Sequence, residues 1–334
     1  MLPLLGLLSC NVHQWPEPEP TEQVKLSLVY DTEMPMMEHN LSSGDTKSSK
    51  VDSKGMVTQT GVMRYHVRAY PIQGNDIISS DYYTKFEETI EISGSYDRSM
   101  DLRLVPGKYR LIVWSDLRET SQTEHFYDVT DFNAVKLSKH QSNTDYRDSF
   151  RGWADMEVIN SVELKDPKEI VVKMQRPMAK FEFITTDLAE FLDKETKSRG
   201  EENSGDGTTG PDLSDYTVKF YYVGFMPSAF SVFDDKPSDS VTGATYDGNL
   251  TRINNDEASM GFDYVFTGTN DTYVTLRVGI NDKEGNQISL SDAVQVPIKR
   301  SYHTVVKGSY LLQNASGGVG VNPDYDGDHN IIFP

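Results

Sequence analysis

Three aspartates near the C-terminal end of the sequence have the spacing of a cation-binding loop. Asp324, Asp326 and Asp328 alternate with other residues, so their carboxylates could surround a calcium ion. An EF-hand loop also requires a bidentate acid at its twelfth position, and no Asp or Glu follows Asp328. A plain turn is therefore the favoured interpretation, and a calcium site is the alternative.

Side chains that could catalyse a reaction do not form a recognisable set. The sequence has no P-loop, no HExxH, no GxSxG, and no GxGxxG that follows a predicted strand. The acidic and basic residues Asp145, Arg147, Asp148 and Arg151 are expected to form ion pairs that fix a loop. A pair of catalytic carboxylates of the glycosidase type is the alternative, but neighbouring acids are expected by chance among 51 acidic residues. We therefore predict that the protein is not an enzyme and holds no cofactor.

The single cysteine has the sequence context of a lipid acceptor. Cys10 follows the apolar residues 2–8 and the small residue Ser9, which resembles the end of a bacterial lipoprotein signal peptide. The thiol would carry a covalent lipid such as palmitate, and several acyl chains anchor a protein firmly in a membrane. No Lys or Arg precedes the apolar residues, and a start codon annotated too late is the expected reason. The alternative is a free, buried cysteine.

A stiff spacer is predicted directly after Cys10. Residues 15–20 read Trp-Pro-Glu-Pro-Glu-Pro, which favours an extended polyproline II conformation. We therefore expect residues 1–22 to comprise the signal peptide, the lipidation cysteine and a spacer that holds the folded part away from the membrane.

Composition and charge restrict the class of protein further. The chain has 32 basic and 51 acidic residues, and its net charge of −19 repels phosphate, so nucleic acid is not an expected partner. Its 334 residues suffice for two domains, and 18 tyrosines in a chain with 10% aromatic residues are typical of β-sandwiches. An all-β protein with short helical insertions is the predicted fold class.

One segment predicts the central strand of the first β-domain. Pro106 and Gly107 signal a turn, and residues 108–115 then form an apolar strand. The odd-numbered residues 109, 111 and 113 point to one face, while Ile112 and Trp114 point to the other. A strand that is apolar on both faces is covered on both sides.

The domain boundaries are predicted from breaks in the strand pattern. Arg176-Pro177 interrupts the alternation because proline cannot complete a strand ladder. We expect an N-terminal sandwich at 23–176, a C-terminal sandwich at 177–312 and a Gly/Asp-rich tail at 313–334. Residues 41–55 are rich in Ser, Asp, Lys and Gly and are expected to form a loop.

The order of these features resembles the fimbrillin-like lipoproteins of Bacteroidales. The matching segments are the strand at 107–114, Arg-Pro-Met-Ala-Lys-Phe-Glu at 176–182 and the final strand at 299–312. The nearest relatives are the fimbrial anchor subunits of FimB type or an uncharacterised family beside them. The resemblance implies two tandem transthyretin-like antiparallel β-sandwiches and a lipid-anchored, surface-exposed position at the outer membrane.

The resemblance also implies partners. Fimbrillin-type subunits assemble by strand donation, which requires an unpaired sheet edge. The residues expected to contact such a partner lie in and after the last strand and are Val305, Val306, Tyr310 and Leu311.

A surface glycan-binding lipoprotein is the alternative function. Aromatic side chains such as Trp114, Trp153 or Tyr222 could stack on sugar rings if they are exposed. The alternation of strand residues argues against Trp114, because it places this side chain in a packed sheet.

Overall fold

The computed structural model describes residues 21–41, 46–54, 60–78, 82, 84–93, 96–160, 168–198 and 211–313. Cys10, Asp324, Asp326 and Asp328 lie outside these ranges, so the lipidation and calcium predictions concern residues that are not described. The described part of the chain is mostly β-strand with one α-helix, which confirms the predicted all-β class. The strands are β1 Glu22–Tyr30, β2 Glu33–Asn40, β3 Thr46–Lys54, β4 Thr60–Gln73, β5 Asp76–Ile77, β6 Thr84–Ser93, β7 Arg98–Leu104, β8 Gly107–Arg118, β9 Tyr127–Asp128, β10 Val135–Leu137, β11 Ser149–Val158, β12 Lys168–Met174, β13 Met178–Thr185, β14 Thr217–Tyr222, β15 Phe225–Ser231, β16 Lys236–Thr242, β17 Thr245–Asn249, β18 Thr251–Arg252, β19 Ala258–Phe266, β20 Thr272–Asn281, β21 Gln287–Leu290, β22 Val294–Ile298 and β23 His303–Gly308, and the helix α1 is Leu188–Ser198.

Two sheets form the first sandwich. One has the strand order β12–β1–β7, and the other has the order β11–β8–β4–β6 with the short β5 also paired to β4. Alternate residues of β1 (Val24, Leu26 and Leu28) enter the same core as Leu111 and Val113 of β8. The period of two along these strands therefore places one face of each sheet in a shared apolar core.

Strand β8 is covered on both faces, as the sequence predicted. Leu111 and Val113 are fully buried in the first sandwich, whereas Ile112 and Trp114 are buried in a separate apolar core on the opposite side of the sheet. This central strand therefore belongs to two cores at once.

Two further sheets form the second sandwich. The larger has the order β18–β19–β13–β23–β2–β3, and the smaller has the order β17–β14–β20 with β21 and β22 both paired to β20. Phe181 and Phe183 of β13 pack with Phe220 of β14 and Leu276 of β20. The helix α1 adds to this core through buried side chains that include Phe191.

The hairpin of β2 and β3 departs from the predicted assignment. Residues 33–54 were expected in the first sandwich, with 41–55 as a loop, but β2 pairs in parallel with β23 and β3 pairs with β2. The segment reads Glu-Met-Pro-Met-Met-Glu-His-Asn in β2 and lacks a clear apolar alternation. Its position is therefore determined by the open edge of β23 rather than by its own pattern.

A small sheet joins the two halves of the chain. Strands β9 and β10, which precede residue 176, pair with β15 and β16, which follow it, in the order β16–β15–β10–β9. Residues 127–137 therefore do not belong to the first sandwich alone. Among the described residues, no helix is both long and apolar enough to cross a bilayer.

The complete burial of Val113 leads to a test of the core. We expect Val113→Asp to lower the free energy of unfolding by several kcal/mol, because the new carboxylate would be buried without a partner. Val171→Asp is the matched control, since Val171 is 51% exposed on β12 and its change should shift stability by about 0.5 kcal/mol or less. Urea unfolding of the two variants measures the difference, and equal midpoints would contradict the assigned core.

Candidate functional site

A third apolar core fills the junction between the two sandwiches. The ring of Trp114 meets Tyr127 at 5.5 Å and Phe266 at 6.4 Å between centroids, both in an edge-to-face arrangement. Aromatic pairs of this geometry add stability beyond the area that they bury. The buried residues of this core are Met34, Tyr70, Ile112, Trp114, Phe126, Tyr127, Val129, Phe132, Val135, Met178, Phe230, Val232, Tyr264 and Phe266.

The charged residues around Asp145 form ion pairs across this junction. The carboxylate of Asp145 lies 2.8 Å from the ammonium group of Lys180 on β13, and Arg147 pairs with Asp263 on β19. The sequence predicted ion pairs here, and each charge pairs with a residue beyond position 175 rather than with a close neighbour. These contacts join the first sandwich to the second.

Asp148 and Arg176 form a completely buried pair. Arg176 Nε lies 2.9 Å from Asp148 Oδ2, and neither side chain is exposed. Arg176 Nη1 also donates to the carbonyl of Glu33 at 2.9 Å, where the chain crosses from β1 to β2. The guanidinium therefore holds three chain segments together at the predicted domain boundary.

Two arginines at this junction share one carboxylate. Arg151 on β11 and Arg300 in the turn between β22 and β23 both pair with Asp235, which lies in the turn between β15 and β16. Arg300 Nη1 is 2.7 Å from Asp235 Oδ1. This turn is thereby held against the first sandwich from one side and the second sandwich from the other.

Burial and charge shift the pKa values of these groups in opposite directions. Burial raises the pKa of the Asp148 carboxyl, and the charge of Arg176 offsets only part of that rise. Burial also raises the pKa of the Asp145 carboxyl, but the charge and hydrogen bond of Lys180, together with the hydrogen bond from Tyr264, outweigh it, and the net pKa is lowered. Because Asp145 and Asp148 are each engaged by a cation, both carboxylates have a structural role in this arrangement.

The residues predicted to contact a partner lie in the interior. Val305, Val306, Tyr310 and Leu311 are all buried. Strand β23 is paired on one side with β13 and on the other with β2, so it has no free edge in this conformation. The predicted partner contact at these four residues therefore finds no open edge on β23, because the β2–β3 hairpin covers it.

A free edge instead occurs on one side of the first sandwich. Strand β6 pairs with β4, strand β7 pairs with β1, and among the described residues neither has a strand partner on its other edge. A cleft of about 400 Å³ lies where these two edges approach each other. Its lining residues are Gln23, Lys85, Phe86, Asp101, Leu102 and Arg103.

One ion pair connects the two sides of this opening. Arg98 of β7 donates from Nη2 to both carboxylate oxygens of Glu88 on β6, at 2.8 and 2.9 Å. Sequence reasoning missed this site because the alternation of β6 is that of any half-buried strand. The sequence of β6 does carry one signal of an edge strand, because charged side chains are frequent on such strands. This signal is the set of exposed residues Lys85, Glu87 and Glu91.

The aromatic residues proposed for glycan stacking have different environments. Trp114 and Tyr222 are buried, which excludes them as sugar platforms in this conformation. Trp153 is 50% exposed on the outer face of β11. Among the described residues, no cluster of His, Cys, Asp or Glu has the arrangement of a metal site.

The sequence matches a protein family over residues 18–334, and that family is described as a family of unknown function, DUF6562. The chain belongs to this family. No curated protein matches the DUF6562 chain.

Several solved structures are similar to the DUF6562 chain. A putative adhesin from Bacteroides ovatus is 12% identical with a TM-score of 0.44 and covers 86% of this chain and 89% of its own. A fimbrial assembly protein from Parabacteroides distasonis is 11% identical with a TM-score of 0.41, covering 87% and 92%. The fimbrial anchor protein Mfa2 from Porphyromonas gingivalis is 11% identical with a TM-score of 0.38, covering 82% of each chain.

These solved structures are of a putative adhesin and of fimbrial proteins, whereas the family that matches this chain is described as one of unknown function. At such identities and TM-scores, the contacts of the DUF6562 chain itself have to carry any functional conclusion.

The buried pair at the junction yields a prediction for stability. Arg176→Met leaves the carboxyl of Asp148 buried without its cation, so we expect the free energy of unfolding to fall by about 3–5 kcal/mol. The double variant Arg176→Met/Asp148→Leu removes both charges and should recover part of this loss. Chemical denaturation of the single and double variants measures the recovery, and a double variant no more stable than the single one would contradict the role of the pair.

Proposed function

We propose that the chain is a non-catalytic outer-membrane lipoprotein, anchored by lipid at Cys10 and exposed at the cell surface. It acts as a fimbrial anchor or accessory subunit in fimbrium assembly and cell adhesion, and it contacts fimbrillin-type subunits by β-strand pairing. In this proposal the two sandwiches are tandem transthyretin-like domains. The observation that carries the proposal is the open side of the first sandwich, where β6 and β7 each leave one edge unpaired beside a cleft.

The open edge supplies what an added strand needs. Unpaired backbone N–H and C=O groups along an edge give affinity, and pockets for alternate side chains give specificity. Strand β6 has ten residues, Thr84–Ser93, which is long enough for an extended partner segment. Phe86 and Leu102 provide apolar lining in the cleft, while Lys85 and Asp101 place both signs of charge at its edge.

The ion pair of Glu88 and Arg98 acts as a weak closure of this opening. Both side chains are about one third exposed, at 29% and 33%. Exposed pairs of this kind contribute about 0–1 kcal/mol. An incoming strand can therefore break this ion pair at a small cost in free energy. The backbone hydrogen bonds between that strand and the open edge would compensate for the loss.

The position of β1 supports the proposed orientation at the membrane. Strand β1 begins at Glu22, soon after the Pro/Glu segment that follows Cys10. A polyproline II spacer extends by about 3.1 Å per residue, so the six residues 15–20 would contribute about 19 Å between the lipid and β1. In this proposal the first sandwich is the membrane-proximal one.

The lipid anchor is tested by changing its acceptor. Palmitate labelling in the native cell should mark the wild type, and Cys10→Ala should abolish the label and release the protein from the outer-membrane fraction. Ser9→Ala is the matched control, because it keeps a small residue before the cysteine and should leave labelling intact. Protease treatment of whole cells should degrade the wild type. A wild type without label would refute the proposed lipid anchor, and a wild type protected from the protease would refute the proposed surface exposure.

Strand pairing at the open side is tested with a charge in the cleft. Phe86→Lys places an ammonium group among the lining residues, so recovery of fimbrillin-type subunits from solubilised envelopes should fall severalfold, as measured by quantitative mass spectrometry. Val171→Lys adds the same charge at an exposed position of β12 and should leave recovery unchanged. Thermal melting confirms that both variants are folded. Equal recovery by the two variants would place the contact elsewhere.

A further inference from the structure

Trp153 is the one exposed tryptophan in the described part of the chain. The sequence has three tryptophans, of which Trp15 lies outside the described ranges and Trp114 is fully buried. Trp153 lies on the outer face of β11, on the side away from the first core, and half of its surface is accessible. Packing accounts for the buried position of Trp114, whereas half of the Trp153 side chain is accessible to a ligand.

The indole ring of Trp153 is held in place by a charged neighbour. The guanidinium carbon of Arg110 lies 4.4 Å from the ring centroid, in a cation–π contact. Arg110 is itself fixed, because Nε and Nη2 donate to the two carboxylate oxygens of Asp155 at 2.7 and 2.8 Å. Its Nη2 also donates to the carbonyl of Asn75 at 3.2 Å. A platform that is fixed in advance loses little conformational entropy when a ligand stacks on it.

The turn between β15 and β16 lies on the same face of the first sandwich as Trp153. Arg151, which precedes it by two residues on the same face of β11, pairs with Asp235 in the turn between β15 and β16. Phe233 of that turn packs on Tyr70 of β4, with ring centroids 5.1 Å apart. The turn is thereby held against the outer face of the first sandwich, on which Trp153 also lies.

We propose that Trp153 is the stacking platform of a binding site for a neutral sugar residue of a glycan. The apolar C–H face of a sugar ring would stack on the indole, which has a negative π face. Sugar hydroxyl groups would donate to the carboxylate of Asp155, which is exposed two residues after Trp153 on the same face of β11. This site does not depend on strand pairing at the β6–β7 opening.

The size of the exposed apolar surface favours a sugar over a protein partner. A stable protein interface buries about 800 Å² on each partner. Trp153 is instead surrounded on its own strand and on β8 by charged residues, namely Asp155, Glu157 and Arg110. A single isolated ring matches the area of one sugar ring and is too small for the apolar centre of a protein interface.

The local charge favours a neutral sugar over an acidic one. Asp155 and Glu157 are carboxylates on the same face of β11 as Trp153, and the cation over the ring, Arg110, is already paired with Asp155. The chain as a whole carries a net charge of −19. A uronic or sialic acid would therefore be repelled.

A glycan array followed by calorimetric titration tests this site with the full chain. We expect binding to neutral oligosaccharides, and the tightest of them should change the tryptophan emission of the protein. Trp153→Ala should weaken its affinity at least tenfold, and Trp153→Phe should retain part of it because a smaller aromatic face remains. Phe225→Ala is the matched control, since it removes another exposed aromatic side chain, 74% accessible, and should leave affinity unchanged.

Four results would overturn the inference. They are an array without neutral ligands, a clear preference for acidic sugars, equal affinity of the wild type and Trp153→Ala, and an equal loss in Phe225→Ala. If Trp153→Ala loses a protein partner in pull-downs while the array is blank, the surface is a protein contact and the sugar site is refuted. Fimbrillin recovery by Trp153→Ala should match the wild type, which separates this test from that of strand pairing.

Discussion

The buried pair of Arg176 and Asp148 determines how the two sandwiches are joined. Arg176 lies where the chain passes from the first sandwich to the second, its Nε is 2.9 Å from Asp148 Oδ2, and its guanidinium lies over the ring of Phe150 at 4.7 Å. A charge transferred from water to an apolar interior carries a desolvation penalty of several kcal/mol unless its partner is present. Beside it, Arg147 pairs with Asp263 and Asp145 pairs with Lys180 across the junction, so a shift of one sandwich against the other would separate paired charges and a single arrangement is strongly favoured.

This fixed junction has a consequence for the two candidate interaction surfaces. The sheet of the first sandwich has the order β11–β8–β4–β6, with Trp153 on the strand at one side and the unpaired edge of β6 at the other. Three strand spacings of about 4.8 Å separate these outer strands. A strand added to β6 extends the sheet away from β11, so a subunit contact at the edge and a ligand on the indole can coexist.

Local sequence patterns predicted individual strands, but not which strands and charged side chains lie next to each other in the fold. The two-faced burial of β8 could be read from its own sequence, because the side chains of a strand alternate between its faces. The ionic role of Asp145, Arg147, Asp148 and Arg151 could be predicted from their types, whereas their partners Lys180, Asp263, Arg176 and Asp235 are distant in sequence. The same limit applies to Val305 and Val306, since only the sheet order reveals that β2 covers the edge of their strand.

The pairing of β2 with β23 also has a consequence for the time course of folding. Met36 pairs with His303, so β2, near the start of the described chain, can pair only after β23, near its end, has been formed. Closing such a long loop is entropically costly, and proteins rich in distant contacts fold slowly. During synthesis the β2–β3 hairpin is made early, yet its place in the sheet exists only after the last strand has been produced. The chain therefore has to pass through an incomplete state with strand edges exposed, in which it is most vulnerable to aggregation.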